Sequence, residues 1–341
     1  MRRTLGAVAA LALAGSAQAG PSYTILEYED LAGWAEDDHA AALDVFRNTC
    51  MDFRVLDWDT LCALASDTPD ARAFFELFFT PVLIEDDEEM LFTGYFEPEL
   101  RGSRYRSARF RYPLYEMPPE VGEDPWLSRR EIEETGVLAD RGLEIVWVDD
   151  PVELFFLQLQ GSGRIRLTNG DVVRVGYGGA NKRPYTSIGM ELVARGVFEQ
   201  HEVSAQVIRD YVRENPAMGR ELLWANESYV FFREVSHVPG HLGPLGAMNR
   251  SITPLRTIAV DPSIYPLGAP VWIEKQGEEP MNRLMVAQDT GSAIKGAQRA
   301  DVFFGAGSEA GRRAGQVRDG GRMVVLLPIQ RAYAMLPETV E

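Results

Sequence analysis

Three aspartates in the last third of the sequence could take part in one reaction. Asp261 lies in AVDPSIYPLGAPVW, Asp289 lies in AQDTGSAIKG, and Asp301 follows twelve residues later in QRADVFFG. Each stands at a predicted strand–turn junction, so the strand ends of one small barrel would bring the carboxylates to a common cleft. Paired carboxylates are the usual groups that cleave glycosidic bonds. Each aspartate taken alone also fits a structural role, because aspartate caps turns.

The Asp-Thr-Gly-Ser at 289–292 also matches the motif around the catalytic aspartate of a pepsin-like protease. Such an enzyme needs two carboxylates that share one proton, and each half of the chain would carry its own copy of the motif. This sequence has one copy, and its nearest relative, VDPS at 260–263, contains a proline where a small, flexible pair is required. The pattern therefore disfavours a protease.

Short strands must position these aspartates. The last hundred residues predict five of them, separated by Asp-Pro, Gly and charged turns, which is typical of a small barrel. Their sequences are RTIAV, APVWIE, RLMVAQ, ADVFFG and RMVVLLP. Residues 29–80 predict mostly helix. LFTGYFEPEL, at 91–100, predicts a strand that enters a turn.

The middle third has signals of its own. LEIVWVDD and ELFFLQLQGSG predict strands. RIRLTNGDVVRVGYGG predicts a hairpin with Asn169-Gly170 at its turn. Three helices are then predicted, over about 187–195, over about 204–214, and over the short stretch GRELLW.

The N-terminus predicts export. MRRTLGAVAALALAGSAQAG combines two arginines, an apolar run and a closing Ala17-Gln18-Ala19, which is the pattern of a secretory signal. We expect residues 1–19 to be removed and the mature protein to begin at Gly20. A lipoprotein signal would place cysteine after the cut, so we expect a soluble periplasmic protein. Association with the outer membrane stays open.

Charge and cysteine content restrict the partners. Without Arg2 and Arg3 the chain has 32 basic and 51 acidic residues, a net charge of −19, which argues against a nucleic-acid partner. The histidines and cysteines lack the spacing of a zinc site, so we expect no metal and no cofactor. Cys50 and Cys62 are the only cysteines. Export makes a disulfide between them our prediction, with two buried thiols as the alternative.

Six motifs in a fixed order carry a family resemblance. They are FTGYFEP (92–98), LQGSG (159–163), VGYGGANKRPYTSIG (175–189), NESYVFF (226–232), GPLGAMNRSITPLRTIAVDPSIYPLGAPVWI (243–273) and AQDTGSAIKGAQRADVFFG (287–305). With them the chain resembles the membrane-bound lytic murein transglycosylase A family, MltA, over almost its whole mature length. The last two resemble the family's 3D region, which is named for three aspartates.

The resemblance implies a mainly β fold with a helical N-terminal part. Residues 20–100 and 233–341 would together form a double-psi β-barrel. Residues 101–232 would form a smaller inserted β-domain, and a deep groove would separate the two. The predicted strands are compatible with this arrangement, although they could not supply the double-psi topology.

The resemblance also implies an activity. Members cleave the β-1,4 bond between N-acetylmuramic acid and N-acetylglucosamine in peptidoglycan and leave a 1,6-anhydromuramic acid end, as lyase-type lytic exotransglycosylases. Asp301 matches the catalytic acid of the family. We expect Asp289 and Asp261 to be supporting carboxylates.

Further candidates would line the groove. Some resemble family motifs, and others are aromatic or charged groups suited to a muramyl glycan, although the aromatic residues equally fit a core. The candidates are Thr93, Gly94 and Tyr95 on the barrel side, Gln160, Gly161 and Ser162 on the inserted domain, Tyr177, Tyr185 and Trp147 as aromatic faces, and Lys295 and Arg299 as cations.

Two other functions stay open. An inverting glycan hydrolase would use Asp289 and Asp301 with water, and a peptidoglycan-binding protein would use the same scaffold without catalysis. In each case the expected partner is a peptidoglycan glycan strand. A cell-wall synthesis or division complex is a further candidate partner, and we expect a monomer.

Overall fold

The computed structural model of the chain describes residues 21–50, 56–239 and 241–335. Its strands form two sheets, one of nine strands and one of six. The predicted signal peptide, 1–19, and the predicted mature N-terminus at Gly20 lie outside these residues. Within the described ranges, no helix is both long enough and apolar enough to cross a membrane.

The described chain contains both helices and strands, in runs of up to five. In order they are β1 (Ser22–Ile25), α1 (His39–Cys50), α2 (Leu56–Asp67), α3 (Ala71–Phe78), β2 (Phe79–Glu85), β3 (Leu91–Glu97), β4 (Glu99–Ser103), β5 (Tyr112–Tyr115), α4 (Arg129–Thr135), β6 (Glu144–Val148), α5 (Pro151–Gln160), β7 (Gly163–Leu167), β8 (Val172–Ala180), α6 (Ile188–Ala194), α7 (Ala205–Glu214), α8 (Pro216–Trp224), β9 (Val230–Glu234), β10 (Thr257–Ala259), β11 (Pro270–Lys275), β12 (Met281–Asp289), β13 (Arg299–Ala306), α9 (Gly307–Ala314), β14 (Arg318–Asp319), β15 (Gly321–Pro328) and α10 (Ile329–Ala334).

The larger sheet joins the two ends of the chain. Its strand order is β1-β2-β15-β11-β12-β10-β13-β3-β14. It is mixed, because β10 runs parallel to β12 and β3 runs parallel to β13, while the other pairs are antiparallel. Its apolar core includes Phe46 of α1, Phe75 of α3, and Trp272 and Val286 of the sheet. This nearly closed mixed barrel with N-terminal helices agrees with the predicted double-psi barrel.

The smaller sheet is inserted between β3 and β10. Its order is β5-β6-β4-β7-β8-β9, and its strands lie between Glu99 and Glu234. The predicted hairpin is confirmed as β7 and β8, with Gly170 at a φ of 92° in the turn, a left-handed conformation that glycine adopts freely. A separate helical cluster joins α5 to α6, α7 and α8 through residues such as Phe155, Leu192 and Leu222.

The strand predicted for ELFFLQLQGSG is wrong, because this segment forms α5. Asp150 caps the helix by accepting the N–H of Val152 at 2.8 Å, and a proline occupies the first helical position. Gly161 ends the helix at a φ of 74°. Val152, Phe155 and Phe156 are buried at a spacing of three and four residues, which is the period of a helix.

A buried ionic group holds the inserted domain on the barrel. The carboxylate of Glu97, at the end of β3, accepts a hydrogen bond from Arg164 Nε at 2.8 Å and lies 3.1 Å from Arg174 Nε. Both arginines also donate to the carbonyl of Leu242, on the segment that returns to the barrel, at 3.2 and 2.8 Å. We call Glu97, Arg164, Arg174 and Leu242 the interdomain clasp. It joins the two places where the chain passes between the barrel and the inserted domain, at Glu97 and at Leu242.

Cys50 and Cys62 are joined by a disulfide between the end of α1 and the middle of α2, with their Cα atoms 5.4 Å apart. We expect the exported protein, unfolded without reductant, to show no free thiol and to show two after reduction. The double variant Cys50→Ala/Cys62→Ala is expected to lose roughly 2–3 kcal/mol of unfolding free energy, because the bridge restricts the unfolded chain. Two thiols before reduction would contradict the prediction.

Candidate active site

Strand register brings Asp289 and Asp301 to one face of the barrel sheet. Ala259 of β10 pairs with Asp289 of β12 on one side and with Asp301 of β13 on the other. Asp301 pairs in turn with Thr93 of β3. Side chains of directly paired residues lie on the same face, so the two carboxylates and the Thr93 hydroxyl share one surface. The small side chain of Ala259 lies between the aspartates, whose strands are separated by two interstrand spacings, about 10 Å.

Asp301 has a raised pKa and one side-chain donor. The Thr93 hydroxyl donates to Oδ1 of Asp301 at 2.6 Å and itself accepts a bond from Arg299 Nη2 at 2.9 Å. Burial raises the pKa of Asp301 to about 6, although the Thr93 hydrogen bond and the Arg299 charge act in the opposite direction. The carboxyl therefore carries a proton in mildly acidic solution.

Asp289 is held by three donors. Its Oδ2 accepts the Tyr95 hydroxyl at 2.9 Å, and its Oδ1 accepts the backbone N–H groups of Ala247 and Thr290, each at 3.0 Å. Burial raises the pKa of Asp289 to about 6, these hydrogen bonds oppose the rise, and the nearby charge of Asp301 adds to it. The site thus contains two carboxyl groups that titrate in the same range.

The two carboxyl groups differ in the number of donors that they accept. Hydrogen bonds to a carboxylate favour its ionised form, and Asp289 accepts three where Asp301 accepts one. The pKa of each is nevertheless raised to about 6, because burial outweighs the donors in both cases. Burial is the largest cause of the raised pKa of Asp301.

Asp261 does not belong to the row of paired residues that contains Asp289, Ala259, Asp301 and Thr93. It accepts hydrogen bonds from two loops instead. Its Oδ1 accepts the N–H and hydroxyl of Ser263 at 3.0 and 2.7 Å, and its Oδ2 accepts the N–H of Gly296 at 3.1 Å. Burial favours a higher pKa for Asp261, but these hydrogen bonds and Lys295, at 3.9 Å, outweigh it and lower the pKa. Asp261 therefore stays ionised and fixes the loop that follows Asp289.

Comparison with known proteins identifies the family of the chain. Two family models match the chain, the MltA specific insert domain at 91–233 and the 3D domain at 256–327. The membrane-bound lytic murein transglycosylase A of Vibrio cholerae is 33% identical over 264 residues, which cover 73% of this chain and 69% of that protein. The chain belongs to the membrane-bound lytic murein transglycosylase A family.

Solved MltA structures share the fold. A membrane-bound lytic murein transglycosylase from Agrobacterium tumefaciens has a TM-score of 0.85 at 31% identity, with 92% of this chain and 99% of that chain covered. Escherichia coli MltA with bound chitohexaose has a TM-score of 0.74 at 29% identity, with 90% and 94% covered. The MltA likeness therefore extends over both sheets.

The MltA motif FTGYFEP places alternate residues on opposite faces of β3. Thr93 and Tyr95 point to the aspartates, as their hydrogen bonds show. Gly94 points the other way, where a Cβ atom would lie 2.7 Å from the Cα of Ala314 in α9. The glycine is thus required for close packing of α9, and only its backbone is free for a role in the groove.

The candidates on the inserted domain have different surroundings. Gln160 accepts the N–H of Phe96 at 3.1 Å and so joins α5 to β3. Gly161 has open space around its Cα. Tyr177 and Tyr185 are 56% and 40% exposed, so their rings are available to a ligand.

Two further candidates are half-buried. Ser162 follows α5, and the ring of Trp147 lies under the guanidinium of Arg106 at 5.6 Å.

In the described part of the chain, no group of three His, Cys, Asp or Glu side chains could hold a metal ion.

Two alanines of the site were not predicted from the sequence. Ala259 separates the carboxylates, and the N–H of Ala247 binds Asp289. Ala259 lies in the predicted strand RTIAV. A small residue among β-branched neighbours was the only sequence signal that could have indicated its place in the site. A backbone donor such as Ala247 has no sequence signal, since every residue except proline carries an N–H.

A cleft of about 640 Å³ opens beside Thr93 between the barrel and the inserted domain. One wall comes from β3, β14 and the loop before β14, and the other from α6 and the segment that follows it. Its lining includes Leu91, Thr93, Met190, Val193, Glu278 and Arg318. The Thr93 side chain thus contacts Asp301 and also faces this cleft.

Proposed function

We propose that this protein is a lytic transglycosylase that cleaves the β-1,4 bond between N-acetylmuramic acid and N-acetylglucosamine in peptidoglycan. The observation that carries the proposal is Asp301, a carboxyl with a pKa of about 6 on the same sheet face as a hydrogen-bonded carboxylate, Asp289. Membership of the MltA family and the chitohexaose bound to the Escherichia coli relative support it.

Asp301 serves first as an acid and then as a base. It donates its proton to the glycosidic oxygen, and the bond from that oxygen to C1 of muramic acid breaks. The C6 hydroxyl of the same sugar attacks C1, and the Asp301 carboxylate takes the hydroxyl proton. Because the nucleophile is tethered to the reacting sugar, its effective concentration is high and no water needs to be positioned.

Asp289 has a supporting role in this proposal. Its three donors favour the ionised form, and in that form Asp289 would place a negative charge opposite the positive charge that develops on the muramic ring. Tyr177 and Tyr185 would stack on sugar rings, and Gln160, Gly161 and Ser162 would offer polar and backbone groups along the groove. Asp261 and Lys295 would hold the loop between the two site aspartates.

A periplasmic location, a monomeric state and a partner complex in cell-wall synthesis or division remain proposals beside the reaction. The periplasmic location rests on the signal-like N-terminus, and the cell-wall complex rests on the names of the relatives, which are murein transglycosylases. The exo mode of attack rests on the family resemblance alone.

The mass of the products formed in water labelled with oxygen-18 tests the reaction. Purified peptidoglycan is digested in H2(18)O, and the muropeptides are measured by mass spectrometry. The proposal expects ends one water lighter than hydrolysed ends and without heavy oxygen. The two carboxyls of similar pKa on one face favour an inverting hydrolase as the alternative. Such an enzyme would give hydrolysed ends, which retain the mass of the added water and carry heavy oxygen. A binding protein would give neither product, and either result would contradict the proposal.

The pH–rate profile should depend on Thr93. Since Asp301 must hold its proton, kcat/KM should fall as pH rises through the pKa of Asp301, near 6. The Thr93 hydrogen bond lowers this pKa. Thr93→Val therefore raises the pKa and moves the alkaline limb of the profile to higher pH, whereas Thr93→Ser keeps the hydroxyl and should resemble the wild type. A limb that moves to lower pH in Thr93→Val would refute the assignment of the limb to Asp301.

A further inference from the structure

We propose that the cleft beside Thr93 is a subsite for the acidic substituent of muramic acid, and that Arg318 binds its carboxylate. The inference rests on the proposed function and names the part of the substrate that this side of the site recognises. N-acetylmuramic acid differs from N-acetylglucosamine by a lactyl ether, which ends in a carboxylate or continues into a peptide that itself carries carboxylates.

Arg318 lies in the same row as the acid. It pairs with Thr93 across β14 and β3, and Thr93 pairs with Asp301 across β3 and β13. Its strand is therefore two interstrand spacings, about 10 Å, from that of Asp301, and its side chain belongs to the same face. A sugar whose glycosidic oxygen lies at Asp301 would have its neighbouring substituents within reach of an arginine side chain at this distance.

The guanidinium of Arg318 is unused, in contrast to its neighbours. Arg312 and Arg313 of α9 pair with Glu309 and Glu279, and Arg322 of β15 pairs with Glu274. Arg299 donates to Thr93 and to backbone carbonyls. Among the described residues no acid pairs with Arg318, which is exposed and lines the cleft. An arginine fork left free at a concave site suits a carboxylate, because it can donate two parallel hydrogen bonds.

The rest of the cleft suits a peptide more than a bare sugar. Met190 and Val193 of α6 and Val203 form an apolar wall, and Met190 is 49% exposed. Glu278 adds one negative group to the lining. A neutral pyranose needs neither a full positive charge nor aliphatic side chains, whereas a short peptide with small apolar side chains, carboxylates and a free amine would use all of these groups.

The experiment compares three substrates. Arg318→Gln and wild-type protein are assayed for kcat and KM on glycan strands with peptides and on peptide-free strands with the lactyl carboxylate, and for binding of chitohexaose, which has no lactyl group. Arg312→Gln is the matched control, since it removes the same charge from a side chain that is not in the cleft lining. We expect KM for muramic substrates to rise about ten-fold or more in Arg318→Gln, as for loss of a charged hydrogen bond.

Chitohexaose binding and kcat should stay unchanged in Arg318→Gln, and Arg318→Lys should recover part of the loss in KM. A rise in KM on both muramic substrates supports the lactyl carboxylate as the ligand, and a rise confined to the peptide-bearing strands supports a peptide carboxylate. Equal KM values for Arg318→Gln and Arg312→Gln, or an equal loss of chitohexaose binding, would overturn the inference. Wild-type protein that forms no anhydro ends would instead overturn the proposed function.

Discussion

Asp301→Asn should abolish the formation of anhydromuropeptides while the protein still folds and binds glycan. The amide matches the carboxyl in shape and can accept the Thr93 hydroxyl, which contacts Oδ1 of Asp301 at 2.6 Å. It can neither deliver a proton to the glycosidic oxygen nor take one from the C6 hydroxyl. Since one group performs both steps, turnover should fall by at least the ~10²–10⁴-fold typical of general acid–base catalysis. Muropeptide release followed by mass spectrometry measures the loss, and chitohexaose binding by calorimetry measures retained affinity.

Asp289→Asn is the matched control for this variant. It makes the same chemical change in the same row, but in the proposed mechanism Asp289 only stabilises charge, so its loss of turnover should be smaller. Asp261→Asn should affect stability of the loop more than the chemistry, because that carboxylate contacts Ser263 and Gly296. Wild-type turnover in Asp301→Asn would end the mechanism, and loss confined to Asp289→Asn would move the acid to the Asp-Thr-Gly-Ser motif.

Glu97→Ala should cost the protein about 3–5 kcal/mol of unfolding free energy, the usual effect of removing one partner from a buried ion pair. Glu97 is fully buried, and burial raises its pKa although Arg174 and Arg164 oppose the rise. Burial of the charged Glu97 carboxylate is therefore unfavourable when it is considered without its partners. Its removal is costlier, because it leaves Arg174, which is 6% exposed, and Arg164 without their anion.

Glu99→Ala provides the control for Glu97→Ala. Glu99 lies two residues away and also pairs with an arginine, Arg166, at 2.8 Å, but their side chains are 35% and 53% exposed. Exposed pairs contribute about 0–1 kcal/mol, so this variant should stay near the wild type. Urea denaturation gives the free energies, and limited proteolysis of the return segment at 235–256 reports release of the clasp. Equal stability of the two variants would show that the clasp does not hold the domains together.

The clasp is also connected to the chemistry. Thr93, Tyr95 and Glu97 follow one another at alternate positions of β3 and contact Asp301, Asp289 and the two arginines respectively. The return segment that the clasp holds at Leu242 also carries Ala247, which donates to Asp289. Displacement of the inserted domain would therefore reach both carboxyl groups through the same strand and segment, and Glu97→Ala should lower kcat as well as stability.

Local patterns in the sequence determined much of the fold. The five C-terminal strands, the hairpin at Asn169-Gly170 and the N-terminal helices follow from alternation, turn residues and caps that act within a few positions. The order of the MltA motifs gave the family, and they contain the two aspartates that the structure brings to one face. Several elements were not predicted, and two of them, α5 and α4, show local reasons for this. The apolar run of α5 outweighed its Asp-Pro start, and α4 was missed despite the capping box of Ser128 and Glu131.

The tertiary structure alone decided where the three aspartates lie and which groups surround each of them. Their sequence contexts are alike, but strand register places Asp289 and Asp301 on either side of Ala259, while Asp261 turns to its own loop. Register joins residues far apart in the chain, so no local pattern records it. Burial and hydrogen bonds then set the pKa values, since the free energy of a charge depends on every group around it. The same non-local pairing places Arg318 in one row with Thr93 and Asp301, where the sequence shows only one arginine among many.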